Sequence, residues 1–434
     1  MFLIYNLILV FLLLAGWPLL LFYMYRRQGS LAGLGQRLGL GRLSRPRPVS
    51  RALWWHGASV GEIRMLAPLV QAWKKRHPEC RLLVTTMTLT GRQTAKELLP
   101  EAEISLLPFD LPLFWDLFFY SFRPAGLVVA ETEIWPNLWR AVKRRGLPLV
   151  LVNARLSPKS FRRYRFFGFV FTEIFRLPDL VVVQDELSGR HFTALGTRPE
   201  RVVSSGNLKF DLTPPPVDEA AFRHPLPASA VMVVAGSTHP GEEEMLLEAW
   251  KNMTRSVPAL TADAVLVIAP RHPRRFAEVA AWLESEKVDF ISYSAWLKTG
   301  GEKISGRLSQ VLLLDTLGDL VHFYRLSRCA VIGGTLVPGI GGHNHLEAAV
   351  HGRPVIHGPH TSSFSDGYRY LDEQGGGLLV KNAEELEIMI RRCLEDDDFV
   401  AKEGRRAQAT LERHRGALHT TLECLEKVFS QCGM

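Results

Sequence analysis

Cysteine is scarce in this chain and shows no pairing pattern. The five cysteines, Cys80, Cys329, Cys393, Cys424 and Cys432, form no C-x-x-C. That excludes the disulfide framework of a small secreted protein and the usual zinc-ligand spacing, and fits reduced thiols on the cytoplasmic side of a membrane. Nucleotide signatures are missing too. Neither G-x-x-x-x-G-K-[ST] nor a clean G-x-G-x-x-G occurs, which disfavours a P-loop triphosphatase and an ordinary NAD site. Helix-turn-helix and RNP-like aromatic motifs are absent, which speaks against nucleic acid as a partner. No low-complexity tract or short-period repeat is found. Charge is absent from Met1 to Tyr25, where Asn6 is the only strongly polar side chain.

As a helix, the uncharged start would cover roughly 37 Å at about 1.5 Å per residue, enough to cross a bilayer. Arg26 and Arg27 follow at once, then Arg37, Arg42, Arg45, Arg47 and Arg51. The positive-inside rule then faces the rest of the chain to the cytoplasm. With no basic n-region and no small-x-small cleavage site, the segment reads as a retained anchor rather than a signal peptide. The net charge of +8, next to such an anchor, points to an acidic lipid surface. Phe161-Arg162-Arg163-Tyr164-Arg165-Phe166-Phe167-Gly168-Phe169 suits a membrane interface or a lipid phosphate, and equally a core helix with snorkelling arginines.

The 434 residues, 47% hydrophobic, are enough for two domains with two cores. Strand-like runs at 81–88, 126–130, 147–153 and 180–184 alternate with helical patterns at 91–99 and 135–145, which argues a parallel sheet covered on both faces. Residues 212–227, with Pro214, Pro215 and Pro216, read as a linker. Alternation then restarts, with strands at 231–236, 264–269, 311–315, 329–333 and 354–357. Helical patterns lie at 241–253, 274–286, 344–351 and 383–394, and over the charged tail 396–430. The expected organisation is an anchor over 1–25, a basic linker over 26–50, an α/β domain over 51–211 and a second over 228–434. The last helix could pack back on the first domain, and a cleft is expected between the strand ends of the two halves.

Trp54-Trp55-His56-Gly57-Ala58-Ser59-Val60-Gly61-Glu62 reads as a buried strand, a small-residue turn and a first helical turn. Ligands of open α/β sheets bind above such strand ends, so Glu62 is a candidate acid or base. Ser59 and Glu62 also have capping-box spacing, in which the carboxylate only satisfies a backbone N–H. Glu131-Thr132-Glu133 ends another strand, and Lys209 sits near the domain junction. In the second half, Arg271 leaves a strand end, where a guanidinium suits a phosphate, or is an ordinary surface arginine. The glycine-rich run 333–347 offers backbone N–H groups and a helix start, an arrangement that suits an anion. Asn344 and Glu347 could equally be a helix cap. His343-Asn344-His345 is a poor metal signature without further ligands.

Together these runs resemble the 3-deoxy-D-manno-octulosonic acid (Kdo) transferases of lipopolysaccharide synthesis. The matching pieces are WWHGASVGE at 54–62, ETEIWPN at 131–137, NARLS at 153–157, GNLKFD at 206–211, GST at 236–238, APRHPRRF at 269–276, GGHNHLEAA at 341–349 and GPHTSSF at 358–364. The resemblance implies a GT-B fold of two Rossmann-like domains, acceptor on the first and donor on the second. It implies inverting transfer of Kdo from CMP-Kdo to the lipid A precursor (lipid IVA) at the inner membrane, with no metal or other cofactor. By position, Glu62 becomes the general base, and Glu131 and Lys209 stabilise the transition state. Pro270, Arg271, Leu317, Gly318, Asp319, Asn344, His345, Leu346 and Glu347 take CMP contacts. Asp319 stands where a glutamate is common and His345 where a proline is common. The rival readings are a GT-B transferase of another sugar nucleotide and a non-catalytic lipid-binding scaffold.

Overall fold

The computed structural model describes residues 5–16, 33–41, 48–211, 222–227, 229–299 and 311–430. The chain divides into two compact units, one of residues 1–212 with 414–434, the other of residues 213–413. Residues 414–434 therefore belong with the first unit, not with the second half of the chain.

The first unit holds β1 (Ala52–His56), β2 (Arg81–Thr86), β3 (Glu103–Leu106), β4 (Pro124–Ala130), β5 (Leu149–Ala154), β6 (Leu180–Val183) and β7 (Val202–Ser204). All pairings are parallel, in the order β3-β2-β1-β4-β5-β6-β7. Such a sheet buries both faces, so its central strands read as unbroken apolar runs. Successive side chains still go to opposite cores. Trp54, Leu127 and Val129 pack with Trp115, Phe118 and Trp139 on one face. Leu53, Trp55, Val128 and Ala130 pack with Ile63, Leu66 and Trp73 on the other.

The second face is completed from the far end of the chain. Helix Ala417–Phe429 puts Leu422, Leu425 and Phe429 into that core, with the Phe429 ring 5.9 Å from Trp73. Gly126 makes room for it, because a Cβ there would come within 2.4 Å of the Phe429 ring. Asp211 secures the start of the helix by accepting from the N–H groups of Gly416 (2.7 Å) and Leu418 (2.6 Å).

The second unit repeats the plan with β8 (Val231–Thr238), β9 (Ala264–Pro270), β10 (Phe290–Ser292), β11 (Val311–Leu313), β12 (Cys329–Ile332), β13 (Val355–His357) and β14 (Gly377–Leu379). The order is β10-β11-β9-β8-β12-β13-β14, again parallel. In each sheet the first strand of the unit is flanked on one side by the second and on the other by a later one. The order reverses between β1 and β4 and between β8 and β12, and those reversals mark where an open α/β sheet binds its ligand.

The expected membrane-spanning anchor is described only over residues 5–16. Among the described residues no helix is long and apolar enough to cross a membrane. Residues 5–16 are helical, roughly 18 Å at about 1.5 Å per residue; residues 1–4 and 17–32 of the expected anchor and linker lie outside the described residues, as do 42–47 and the Pro214–Pro216 run. The helix is also tied to the first unit. Tyr5 donates its hydroxyl to Asp110 at 2.9 Å, and Asn137 donates to the Asn6 side chain at 2.6 Å. Part of the expected basic linker is likewise folded onto the unit: the Gln36 side chain accepts from the Leu106 N–H at the end of β3.

Candidate functional site

Glu62 is the third residue of helix Val60–Arg76, which starts directly after β1. The capping box expected from Ser59 and Glu62 forms. The Glu62 N–H donates to Ser59 Oγ at 3.3 Å, and Glu62 Oε2 accepts from the N–H groups of Ala58 and Ser59. Capping and chemistry are not alternatives here. Both backbone bonds fall on Oε2, which fixes the rotamer and leaves Oε1 outside the cap. Burial pushes the carboxyl up to about 7, helped by the negative charges of Glu131 and Glu133 and opposed by the two backbone donors. A carboxyl so poised takes and returns protons near neutral pH.

Glu131 follows β4, across the reversal from β1. Its φ of 55° is left-handed, a conformation that costs a non-glycine residue energy and is held here by its surroundings. The Glu131 N–H donates to Val152 O at 2.8 Å, and its carboxylate pairs with Lys209 Nζ at 3.2 Å. Glu133 is pushed up by burial, with the Glu131 charge adding to it.

Lys209 owes its position to a buried chain of amides. Asn153, fully buried and also left-handed at φ 54°, accepts from the Leu208 N–H through Oδ1 at 2.9 Å. The Gln184 side chain donates to Asn153 O at 2.8 Å and accepts from Asn207 Nδ2 at 3.1 Å, and Asn207 Oδ1 accepts from the Lys209 N–H at 3.0 Å. Thr132 closes the arrangement, donating to Arg155 O at 2.5 Å. The runs at 131–137, 153–157 and 206–211 thus converge on one site in the first unit. Asn153 and Gln184 hold this arrangement together although neither is a candidate from sequence. The signal that could have found Asn153 is a polar residue inside an otherwise apolar strand.

In the second unit the candidates gather at the carboxyl ends of the strands. Pro270 ends β9, and Arg271, exposed, donates its N–H to Thr238 O at 3.0 Å. Leu317, 73% exposed, Gly318 and Asp319 lie after β11, where Asp319 accepts from Thr316 Oγ1 at 2.5 Å. Asn344 and Glu347 bond each other at 3.0 Å, and the helix they open is only Leu346–Ala349. His345 is withdrawn: 1% exposed, its ring 4.4 Å from that of Tyr368, it is pushed down to about 3 by burial and the nearby His357. The glycine-rich run is less open to an anion than its composition suggests. The buried Glu242 carboxylate already accepts from the N–H groups of His239 (2.9 Å), Gly334 (2.8 Å) and Leu336 (3.0 Å). Among the described residues no group of three or more His, Cys, Asp or Glu is placed to hold a metal ion.

Two parallel α/β units, each with polar side chains at its sheet reversal, define a GT-B-like architecture. The UDP-GlcNAc 2-epimerase of Neisseria meningitidis has a similar fold, with a TM-score of 0.57 at 14% identity over 87% of this chain and all of that one. The family model described as 3-deoxy-D-manno-octulosonic-acid transferase matches residues 32–212. The 3-deoxy-D-manno-octulosonic acid transferase of Haemophilus influenzae is 33% identical over 91% of this chain and 90% of its own length. That of Bordetella pertussis is 31% identical over 94% and 96%. The chain belongs to the Kdo transferase family.

Proposed function

We propose that this protein transfers Kdo from CMP-Kdo to the lipid A precursor, lipid IVA, with inversion at the anomeric carbon and without a metal or other cofactor. The first unit takes the acceptor. Glu62 receives the proton of the attacking sugar hydroxyl as the new C–O bond forms. The bond from the anomeric carbon to the phosphate oxygen breaks, and CMP leaves with the electron pair. Lys209, held by Glu131, sets a positive charge beside the developing negative charge. The second unit holds the donor, with Pro270 and Arg271, the turn 317–319 and the segment 344–347 around CMP.

The observation that carries this reading is the Glu62 carboxyl, raised to about 7 at the reversal of the first sheet and mounted through one oxygen. A membrane-bound acceptor is supported by two surfaces of the same unit. The helix 5–16 exposes Leu7, Ile8, Phe11, Leu12 and Leu14. Helix Pro158–Phe166 turns Phe161 and Tyr164 inward but leaves Arg162, Arg163 and Arg165 exposed, with Phe166 79% exposed. Apolar and cationic side chains together suit the cytoplasmic face of an inner membrane rich in anionic headgroups. The test is Glu62→Gln with CMP-Kdo and detergent-dispersed lipid IVA. Gln keeps the capping acceptor but takes no proton, so transfer should fall by roughly 10²–10⁴-fold while CMP still binds. Near wild-type transfer at saturation would remove Glu62 as the base.

A further inference from the structure

We propose that His239 and His343 form a proton-sharing pair that faces the phosphate of bound CMP and takes up one proton when that phosphate arrives. The inference rests on the donor reading above. The two Nε2 atoms lie 2.7 Å apart, and the ring centroids lie 5.0 Å apart with 7° between the planes, so the rings meet edge to edge in nearly one plane. At that distance one Nε2–H donates to the lone pair of the other. The donating ring is then bare at Nδ1 and the accepting ring protonated there. One further proton can enter at the bare Nδ1 without breaking the bond, and turns it into a charge-assisted one. A second would have to enter the bond itself, so the capacity of the pair is one.

Its place in the fold points to the ligand. His239 follows β8 and His343 follows the glycine-rich loop after β12, so the pair straddles the reversal of the second sheet. In many nucleotide sites backbone N–H groups at such a point receive the phosphate. Here three of them are already held by Glu242. Side chains then take a larger share of the phosphate charge, and Arg271 and the pair are the groups at hand. The charged and titratable groups around the pair are Arg271, His272 and Arg275 after β9, Glu242 below, and Tyr368, whose hydroxyl donates to His343 O at 2.8 Å. Burial, then Arg271 and the neighbouring His239 and His272, hold His343 down to about 4; burial, then His272, Arg275 and Arg271, lower His239 as well. Both rings are neutral at pH 7 without ligand. A phosphate opposes the cationic neighbours and raises the pair, so binding and protonation are linked.

Calorimetry of the full chain with CMP and with cytidine, in buffers of different ionisation enthalpy between pH 6 and 8, tests this. The CMP phosphate itself ionises at about pH 6 and can release its own proton on binding. The quantity read is therefore the uptake by the wild type in excess of that by His343→Gln and His239→Gln. This excess should grow, and the affinity of the wild type rise several-fold relative to the variants, from pH 8 to pH 7. Cytidine should show neither effect. In His343→Gln and His239→Gln, at the same pH, the uptake should be lost while CMP still binds. Should one variant fail to fold, the other serves as the reference. CMP binding with no more uptake by the wild type than by the variants, or equal uptake with cytidine, would overturn the pair and leave the donor reading standing. No CMP binding at all would overturn the donor reading and this inference with it.

Discussion

Glu62 is held at an energetic cost. Its carboxyl ionises near 4.5 when unfolded and near 7 when folded, so the folded chain holds the extra proton between those values. This contribution favours the fold at acid pH and fades as pH rises from about 4.5 through 7. Glu62→Gln should therefore melt higher than the wild type at pH 8, with the gap closing below pH 5, although it transfers poorly. The rate of the wild type should rise as pH passes about 7 and the base loses its proton. Because the Glu131 charge helps to hold Glu62 up, Glu131→Gln should move that inflection to lower pH, beyond any loss of rate it causes. An unmoved inflection would mean that the two carboxylates do not interact. On the donor side, Arg271→Ala should weaken CMP binding by about 1.5–3 kcal/mol, the range for a hydrogen bond to a charged group, as read by calorimetry.

The elements legible in the sequence were those whose signal is local. β1, β4, β8 and β9 are apolar runs ended by glycine, proline or a charge, and helix Val60–Arg76 announces its start through Ser59 and Glu62. The strands at the sheet edges, β3, β7, β10 and β14, carried no such signal. They have three or four residues each and are only partly buried, so pairing with a neighbour makes them strands rather than their own pattern. The helical tail is two helices, Asp397–Arg413 and Ala417–Phe429, parted at Gly416 with φ 107°, a break its periodicity did not mark. Glu62 could be named from spacing alone because its capping partner is three residues away. The amide chain through Asn153 and Gln184 could not, since its members lie 23 to 55 residues apart. Phe429→Ala should cost about 3–5 kcal/mol, as for other buried aromatics, and chemical denaturation should show that loss in the first unit.

At the scale of the whole molecule, residues 5–16 of the apolar N-terminus form a docked helix with an exposed apolar side. It supplies no acid, base or nucleophile suited to transfer. A chain beginning at Arg27 should keep its activity on detergent-dispersed acceptor and lose affinity for anionic vesicles. A folded but inactive truncation would show that the docking through Asp110 matters for catalysis. The return of helix Ala417–Phe429 to the first unit has a consequence for synthesis. The first unit to leave the ribosome is the last to be finished. Its sheet emerges more than two hundred residues before the helix that covers Trp73 and Val128, whereas the second unit is continuous in sequence and can close as it is made. Through about half of translation the nascent chain therefore carries an incompletely covered apolar face, an exposure that follows from the topology rather than from any one residue.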